Sequence, residues 1–259
     1  MIKFLKRFYL GIILLFLYAP ILVMILFSFN KGDTRANFTG LSFQWYTKMF
    51  ENEALMEALV NTLVVALCAS VISTILGTYI AFAISKMAPA NKSISLKLLN
   101  IPMLNAEIVT GVSLMFFFVF ISVPLGFTTL LIAHIIFDVP YVVLSVLPRI
   151  RQMNKSIYEA ALDLGATPVF AFRKIIMPEI MPGIFSGALL AFTMSFDDFI
   201  ISYYTSGPGF VTLSVYINTM TKRAIPLTIN ALSTFIFVIV FVLLLITNFK
   251  NKKPNKEVA

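Results

Sequence analysis

Six long apolar stretches, at about 8–29, 60–85, 98–121, 126–147, 180–203 and 227–249, leave this 259-residue chain few ways to fold. Each is 22 residues or longer, and roughly 20 suffice for a helix to cross the hydrocarbon core of a bilayer. Backbone N–H and C=O groups in lipid must find partners within their own segment, which makes helices the natural choice. The expected fold is all-α, a polytopic membrane protein with six transmembrane helices in a single domain over 1–259. Composition agrees: 59% of residues are hydrophobic and only 12% charged, against about a quarter charged in soluble domains. The first run has a basic start, but it is longer than the roughly 7–15 apolar residues of a signal-peptide core. It reads as a retained helix.

The net charge of +8 raises nucleic acid as a partner, and its distribution answers the point. The two tails and the even-numbered loops hold fifteen of the Lys and Arg residues, and the odd-numbered loops hold five, Lys31, Arg35, Lys48, Lys222 and Arg223. By the positive-inside rule both termini lie in the cytoplasm. The basic excess is then a topology signal, and nucleic-acid binding is not needed to explain it. Cys68 is alone and sits inside the second run, so it reads as a buried inert thiol with no disulfide or metal role. The polar tail "KNKKPNKEVA" reads as a frayed end.

Residues 149–179 form the longest cytoplasmic connection, 31 residues, and loops of that length without a function are uncommon. Asn154 or Ser156 can cap a helix beginning near Ile157. Ala161 and Gly165 are four apart and leave one face nearly bare, while Glu159 and Asp163 form an acidic stripe on another side. "GATP" then breaks the helix: Gly165 suits a C-terminal cap, Thr167 can cap a second helix, and Pro168 fits its first position. Pro178 and Pro182 are expected to mark the junction with the fifth run. Two short helices at a bend suit docking into another protein; an amphipathic loop lying on the lipid surface is the other reading.

The same stretch resembles the EAA motif of ABC importer permeases. It has Glu159-Ala160-Ala161, then Gly165 after three residues, then Ile175-Ile176-Met177-Pro178 after nine more, with Met177 in place of the usual Leu. The resemblance implies that Glu159, Ala160, Ala161, Asp163 and Gly165 belong to a coupling element seated in a cleft of an ATPase subunit. The chain has no GxxxxGK[ST] phosphate loop, and its single His cannot build a zinc site. It is expected to be non-enzymatic and to bind no cofactor or metal, with ATP and magnesium held by a partner.

Charged side chains within membrane runs are functional hypotheses by default. This chain has four, all acidic: Glu107, Asp138, Asp197 and Asp198, with no Lys or Arg in any of the six runs. Asp198 shares a helical stripe with Ser195 and Ser202, whereas Asp197 aligns with Thr193. One of the pair can line a path while the other holds a neighbouring helix, or both can be structural. Asn105 and Thr110 could hydrogen-bond Glu107, and Asp138 lies one turn after His134, as a hydrogen-bonded pair would. Tyr203 and Tyr204 serve equally as interfacial anchors or as aromatic faces for a cation. An acidic interior lacking bases favours a cationic cargo. On "FTMSFDDFIISYYTSGPG", "FSFN", "NAEIVTGVSLM" and the loop together, the chain is similar to the spermidine/putrescine importer family, in its C-type permease branch, over about residues 10–249.

That resemblance implies a type I ABC importer permease in a bacterial cytoplasmic (inner) membrane. Its partners would be a second, related permease subunit, two ATPase subunits and an extracytoplasmic binding protein. Trp45, in the outer loop 31–59, could meet that binding protein or anchor in the interface. Three rivals stand: the same machine carrying thiamine, a metal chelate or an anion; a proton-coupled secondary transporter using Glu107 or Asp138; and an intramembrane aspartyl enzyme. The last is disfavoured because the Asp pair is adjacent in one helix, whereas such a dyad brings two carboxylates together from separate elements.

Overall fold

The computed structural model describes residues 2–221 and 226–251. Lys222, Arg223 and the tail from residue 252 onward, which entered the charge reading and the frayed-end expectation, lie outside the described residues. Among the described residues the secondary structure is helical apart from one isolated β-bridge between Asn30 and Leu41. The helices are α1 (Ile2–Ser28), α2 (Gln44–Glu51), α3 (Glu53–Lys86), α4 (Pro89–Leu104), α5 (Glu107–Phe120) and α6 (Phe127–Gln152). They continue as α7 (Lys155–Asp163), α8 (Pro168–Ala171), a π-helical turn at Phe172–Ile176, α9 (Met177–Asp197), α10 (Ile200–Thr205), α11 (Leu213–Thr221) and α12 (Leu227–Asn251). The all-α expectation holds.

Four of these segments are long and apolar enough to cross a membrane, and a fifth span forms if α4 and α5 are counted as one broken pair. That pair corrects the third expected run, 98–121. It bends by 100° at Asn105 and Ala106, both in extended conformation. Pro102 has already removed a donor from the ladder of α4, and α5 restarts with Glu107 in its first turn, where an acid is favoured by the helix dipole. The fifth run, 180–203, is also broken: α9 ends at Asp197, Asp198 is extended, and α10 begins at Ile200. In α12 the apolar stretch covers Leu227–Val242.

By internal contacts the chain packs as two units. One contains α1, α2 and α12. Its connecting loop winds around the buried Asn30, whose side-chain nitrogen donates to Thr34 O and Asn37 O, each at 3.0 Å. Trp45 Nε1 donates to the Asn30 carbonyl at 2.7 Å and the ring is buried. Trp45 therefore closes its own loop, which neither reading of an exposed Trp45 anticipated.

The other unit runs from Glu57 to Tyr216 and carries every coupling and pathway residue singled out above. Its core gathers Val142, Val143, Val146 and Ile150 of α6 with Ala81 and Ile84 of α3 and Ile180 and Ala191 of α9. Glycine permits this approach: a Cβ on Gly77 of α3 would stand 2.7 Å from the Val142 side chain, and one on Gly187 of α9 would stand 3.2 Å from Val142 Cα. Both neighbours press on α6 at one level. Burying apolar side chains between helices contributes about 25 cal/mol per Å² removed from solvent, and close packing adds dispersion contacts.

Candidate functional site

One turn of α6 places His134 and Asp138 on the same face, and both are buried. They do not bond directly, as the pairing reading expected; Ser195 of α9 stands between them. Ser195 Oγ donates to Asp138 Oδ2 at 2.7 Å. Since a serine hydroxyl has one proton, His134 Nδ1 must be the donor in its 3.0 Å contact with Ser195 Oγ. In the neutral ring Nε2 is then an acceptor, and Ser202 Oγ lies 3.1 Å from it. Asp138 Oδ1 is buried without a hydrogen-bond partner among the described residues.

Asp198 completes the cluster from the break between α9 and α10. Its carboxylate accepts the backbone N–H of Ile201 at 3.2 Å and of Ser202 at 2.7 Å, so it caps the first turn of α10. Its Oδ2 is also 3.6 Å from His134 Nε2. The Ser195–Asp198–Ser202 stripe read from helical spacing converges here, although the helix is interrupted. The convergence is on His134, and every member is buried. Ser195 and Ser202 were flagged only as Asp198's neighbours; their contact with His134 depends on α6 packing against α9 and α10, which no local pattern reveals.

The other acids lie apart from this cluster. Asp197 is exposed in the last turn of α9, on the side of the exposed Thr193. Glu107 is exposed at the start of α5. Neither carboxylate makes an ion pair among the described residues. Tyr203 is half exposed, with its ring 5.6 Å from Phe199 and 5.3 Å from Tyr204. Tyr204 packs where α10 crosses α5: a Cβ on Gly111 would meet its ring at 3.3 Å.

The second candidate region is the α7–α8 knuckle. Asn154 is the residue that caps α7, accepting from Ser156 N at 3.0 Å. Gly165 N donates to Leu162 O at 2.9 Å and Ala166 N to Ala161 O at 3.0 Å, the paired bonds of a Schellman stop. Gly165 has φ +87°, a left-handed conformation that a Cβ disfavours. Thr167 Oγ1 accepts from Phe170 N at 3.3 Å, opening α8. Tyr158 packs into the α3–α6–α9 core, and Ala161 is half buried. Glu159, Ala160, Asp163 and Gly165 face outward. Beside them Ile157, Leu164, Val169 and Phe170 are exposed, Leu164 by 89%. Pro178 stands in the first turn of α9, at the expected junction, while Pro182 lies inside α9, and the junction is not a break in the helix. Helix continues from α8 into α9 through the π turn, with Met177 N–H bonded to Phe172 O. The wide turn comes just before Pro178, where the ladder lacks a donor.

The sequence matches the family described as "Binding-protein-dependent transport system inner membrane component" over residues 2–252. It is 33% identical over 252 residues to the spermidine/putrescine transport system permease protein PotC of Haemophilus influenzae, covering 97% of this chain and 98% of that one. It is 34% identical over 228 residues to the putrescine transport system permease protein PotI of Escherichia coli K12, covering 85% of this chain and 81% of that one. Among solved structures, a chain of a bacterial ABC transporter importing the acidic polysaccharide alginate superposes with TM-score 0.74 at 14% identity, covering 97% and 96% of the two chains. The same kind of transporter in complex with an alginate-bound periplasmic protein gives TM-score 0.71 at 17% identity, covering 96% and 94%. The latter two likenesses establish the fold.

Proposed function

Because this chain belongs to the binding-protein-dependent transport system inner membrane components, we propose that it forms half of the translocation path of an ABC importer for polyamines. The observation that carries the cargo class is its likeness, over 97% of its length, to a spermidine/putrescine permease. The acidic membrane runs without a Lys or Arg support the same reading, since a cationic cargo favours carboxylates and aromatic faces.

The machine works by alternating access. Two ATPase subunits bind ATP and magnesium and close, and α7 with Glu159, Ala160, Ala161, Asp163 and Gly165 carries that closure into the core through Tyr158. A second related permease supplies the rest of the path, six helices on each side, with both termini in the cytoplasm of a bacterium. An extracytoplasmic binding protein delivers the cargo. This chain itself holds no nucleotide and catalyses no reaction.

In the path, Asp197 and Glu107 are the acids available to meet cargo, with Tyr203 and Tyr204 as aromatic walls. Asp198 is assigned to positioning: its carboxylate is occupied by two backbone amides and lies beside His134. The test is ATP-dependent uptake of labelled spermidine into proteoliposomes holding this chain and its partner subunits. Asp197→Asn is expected to lower uptake at least tenfold while assembly and ATPase activity persist. Assembly with ATP hydrolysis but no polyamine uptake in the wild type would refute the cargo. Competition by an anion would point to the rival solutes.

A further inference from the structure

Behind the knuckle, the basic ends of several helices close on a cavity whose basic residues none of the roles above employs. It has a volume of ≈ 470 Å³ and lies where α3 ends, α4 begins, and α6 passes into α7. Lys86, Lys92 and Arg151 line it, with Glu159 as the one acid. No ion pair among the described residues joins any of these four, so the cavity holds three cations against one anion. Lys86 Nζ sits 4.5 Å above the ring of Phe82. Phe82, Ile150 and Ile176 form an apolar floor.

Phe82 also borders a second cavity of ≈ 240 Å³, between α3 and α9, lined by Ile75, Tyr79, Ile180 and Ile184. Its polar lining is Thr74, Thr78 and Tyr79, and among the described residues the two threonine hydroxyls have no partner. Along α3 the second cavity lies at earlier residues than Lys86, deeper in the span, and Phe82, in T-shaped contact with Phe172, lines both. A free inorganic anion would use the basic cavity and leave the apolar slot vacant. An amphiphile with an anionic head uses both.

We propose that this groove binds an anionic membrane lipid, its phosphoryl group among Lys86, Lys92 and Arg151 and an acyl chain along α3 and α9 past Phe82. The inference rests on the chain spanning a membrane and is independent of the cargo. Tyr158 and Glu159 of α7 line the headgroup cavity, so the occupant touches the knuckle. A phosphoryl charge there repels the Glu159 carboxylate outward and fills the space behind α7.

Native mass spectrometry of the full chain, assembled with its partner subunits in neutral detergent, tests this with phosphatidylglycerol, phosphatidylcholine of the same acyl chains, and inorganic phosphate. Phosphatidylglycerol is expected to be retained in preference to phosphatidylcholine. A basic residue near an anionic lipid is worth about fivefold in affinity, so the double variant Lys92→Gln/Arg151→Gln should bind about 30-fold more weakly. Glu159→Gln should bind about fivefold more tightly, a gain that misfolding cannot produce. Lys97→Gln, outside the cavity, should leave binding unchanged. Equal retention of the two lipids, or undiminished binding by the double variant, would overturn the proposal. Displacement of phosphatidylglycerol by millimolar phosphate would also overturn it, in favour of a free phosphoryl anion.

Discussion

The cluster around His134 and the knuckle around Leu164 invert the usual distribution of side chains in opposite senses. At the first, two carboxylates, an imidazole and two hydroxyls are buried together. At the second, Ile157, Leu164, Val169 and Phe170 stand exposed on short, well-capped helices. A buried polar group costs free energy unless it is hydrogen-bonded, so the first region must be satisfied from within, and its members are tied across three helices. An exposed apolar patch marks a surface for a protein or a membrane, and on the coupling role proposed above the second region is satisfied by a partner. The internal region should govern whether the chain folds, and the external one whether a folded chain works.

This contrast can be broken most severely at the centre of the cluster. His134→Ala empties the centre of the cluster and leaves the Ser195 and Ser202 hydroxyls without their shared partner, for an expected loss of about 2–5 kcal/mol. Thermal unfolding of the detergent-solubilised protein should show it as the largest drop in midpoint. Asp198→Ala follows, since two N–H groups at the start of α10 lose their acceptor, at about 1–3 kcal/mol. Rescue by Asp198→Asn, which can still accept one of those bonds, separates capping from charge.

A change of similar or smaller size is expected where packing alone is at stake. Gly77→Leu drives a side chain into Val142 and should cost about 1–3 kcal/mol, with no change specific to cargo. Gly165→Ala forces a Cβ into the left-handed conformation at the Schellman stop, at about 1 kcal/mol. The smallest stability effect sharpens the comparison most. Leu164→Asp on the exposed knuckle should leave the unfolding free energy within about 0.5 kcal/mol of wild type. It should nonetheless abolish uptake coupled to ATP. Wild-type uptake in Leu164→Asp, or an unfolding penalty as large as that of His134→Ala, would erase the distinction.

The knuckle was legible in the sequence because its determinants are local. Asn154, Gly165, Thr167 and Pro168 each act on backbone groups within a turn of themselves, so their spacing already states the caps. The breaks at Asn105–Ala106 and Asp198–Phe199 were not legible, since hydropathy stays high on both sides of each and registers only apolarity. Asp198 in a helix stripe and Asp198 as the cap of a new helix have the same neighbours in sequence. The direct pairing expected of His134 and Asp138 failed for a different reason. A serine on another helix was closer to both, and such a contact follows from how α6 meets α9. Pro178 does mark the start of α9, but its spacing did not reveal that helix runs on through it, because the widened turn before it absorbs the missing donor.

That widened turn at Phe172–Ile176 has a consequence for how the two regions communicate. A π turn takes up one residue more than the α-helical ladder would, and each residue advances a helix by about 100°. The outward face of α8 and the inward face of α9 are thus set out of phase by a fixed step, like two gears keyed to one shaft at different angles. Deleting a single residue there would keep both surfaces intact and turn one against the other. On the coupling role proposed above, the knuckle would still seat in its partner, but each push would arrive on the wrong side of the span.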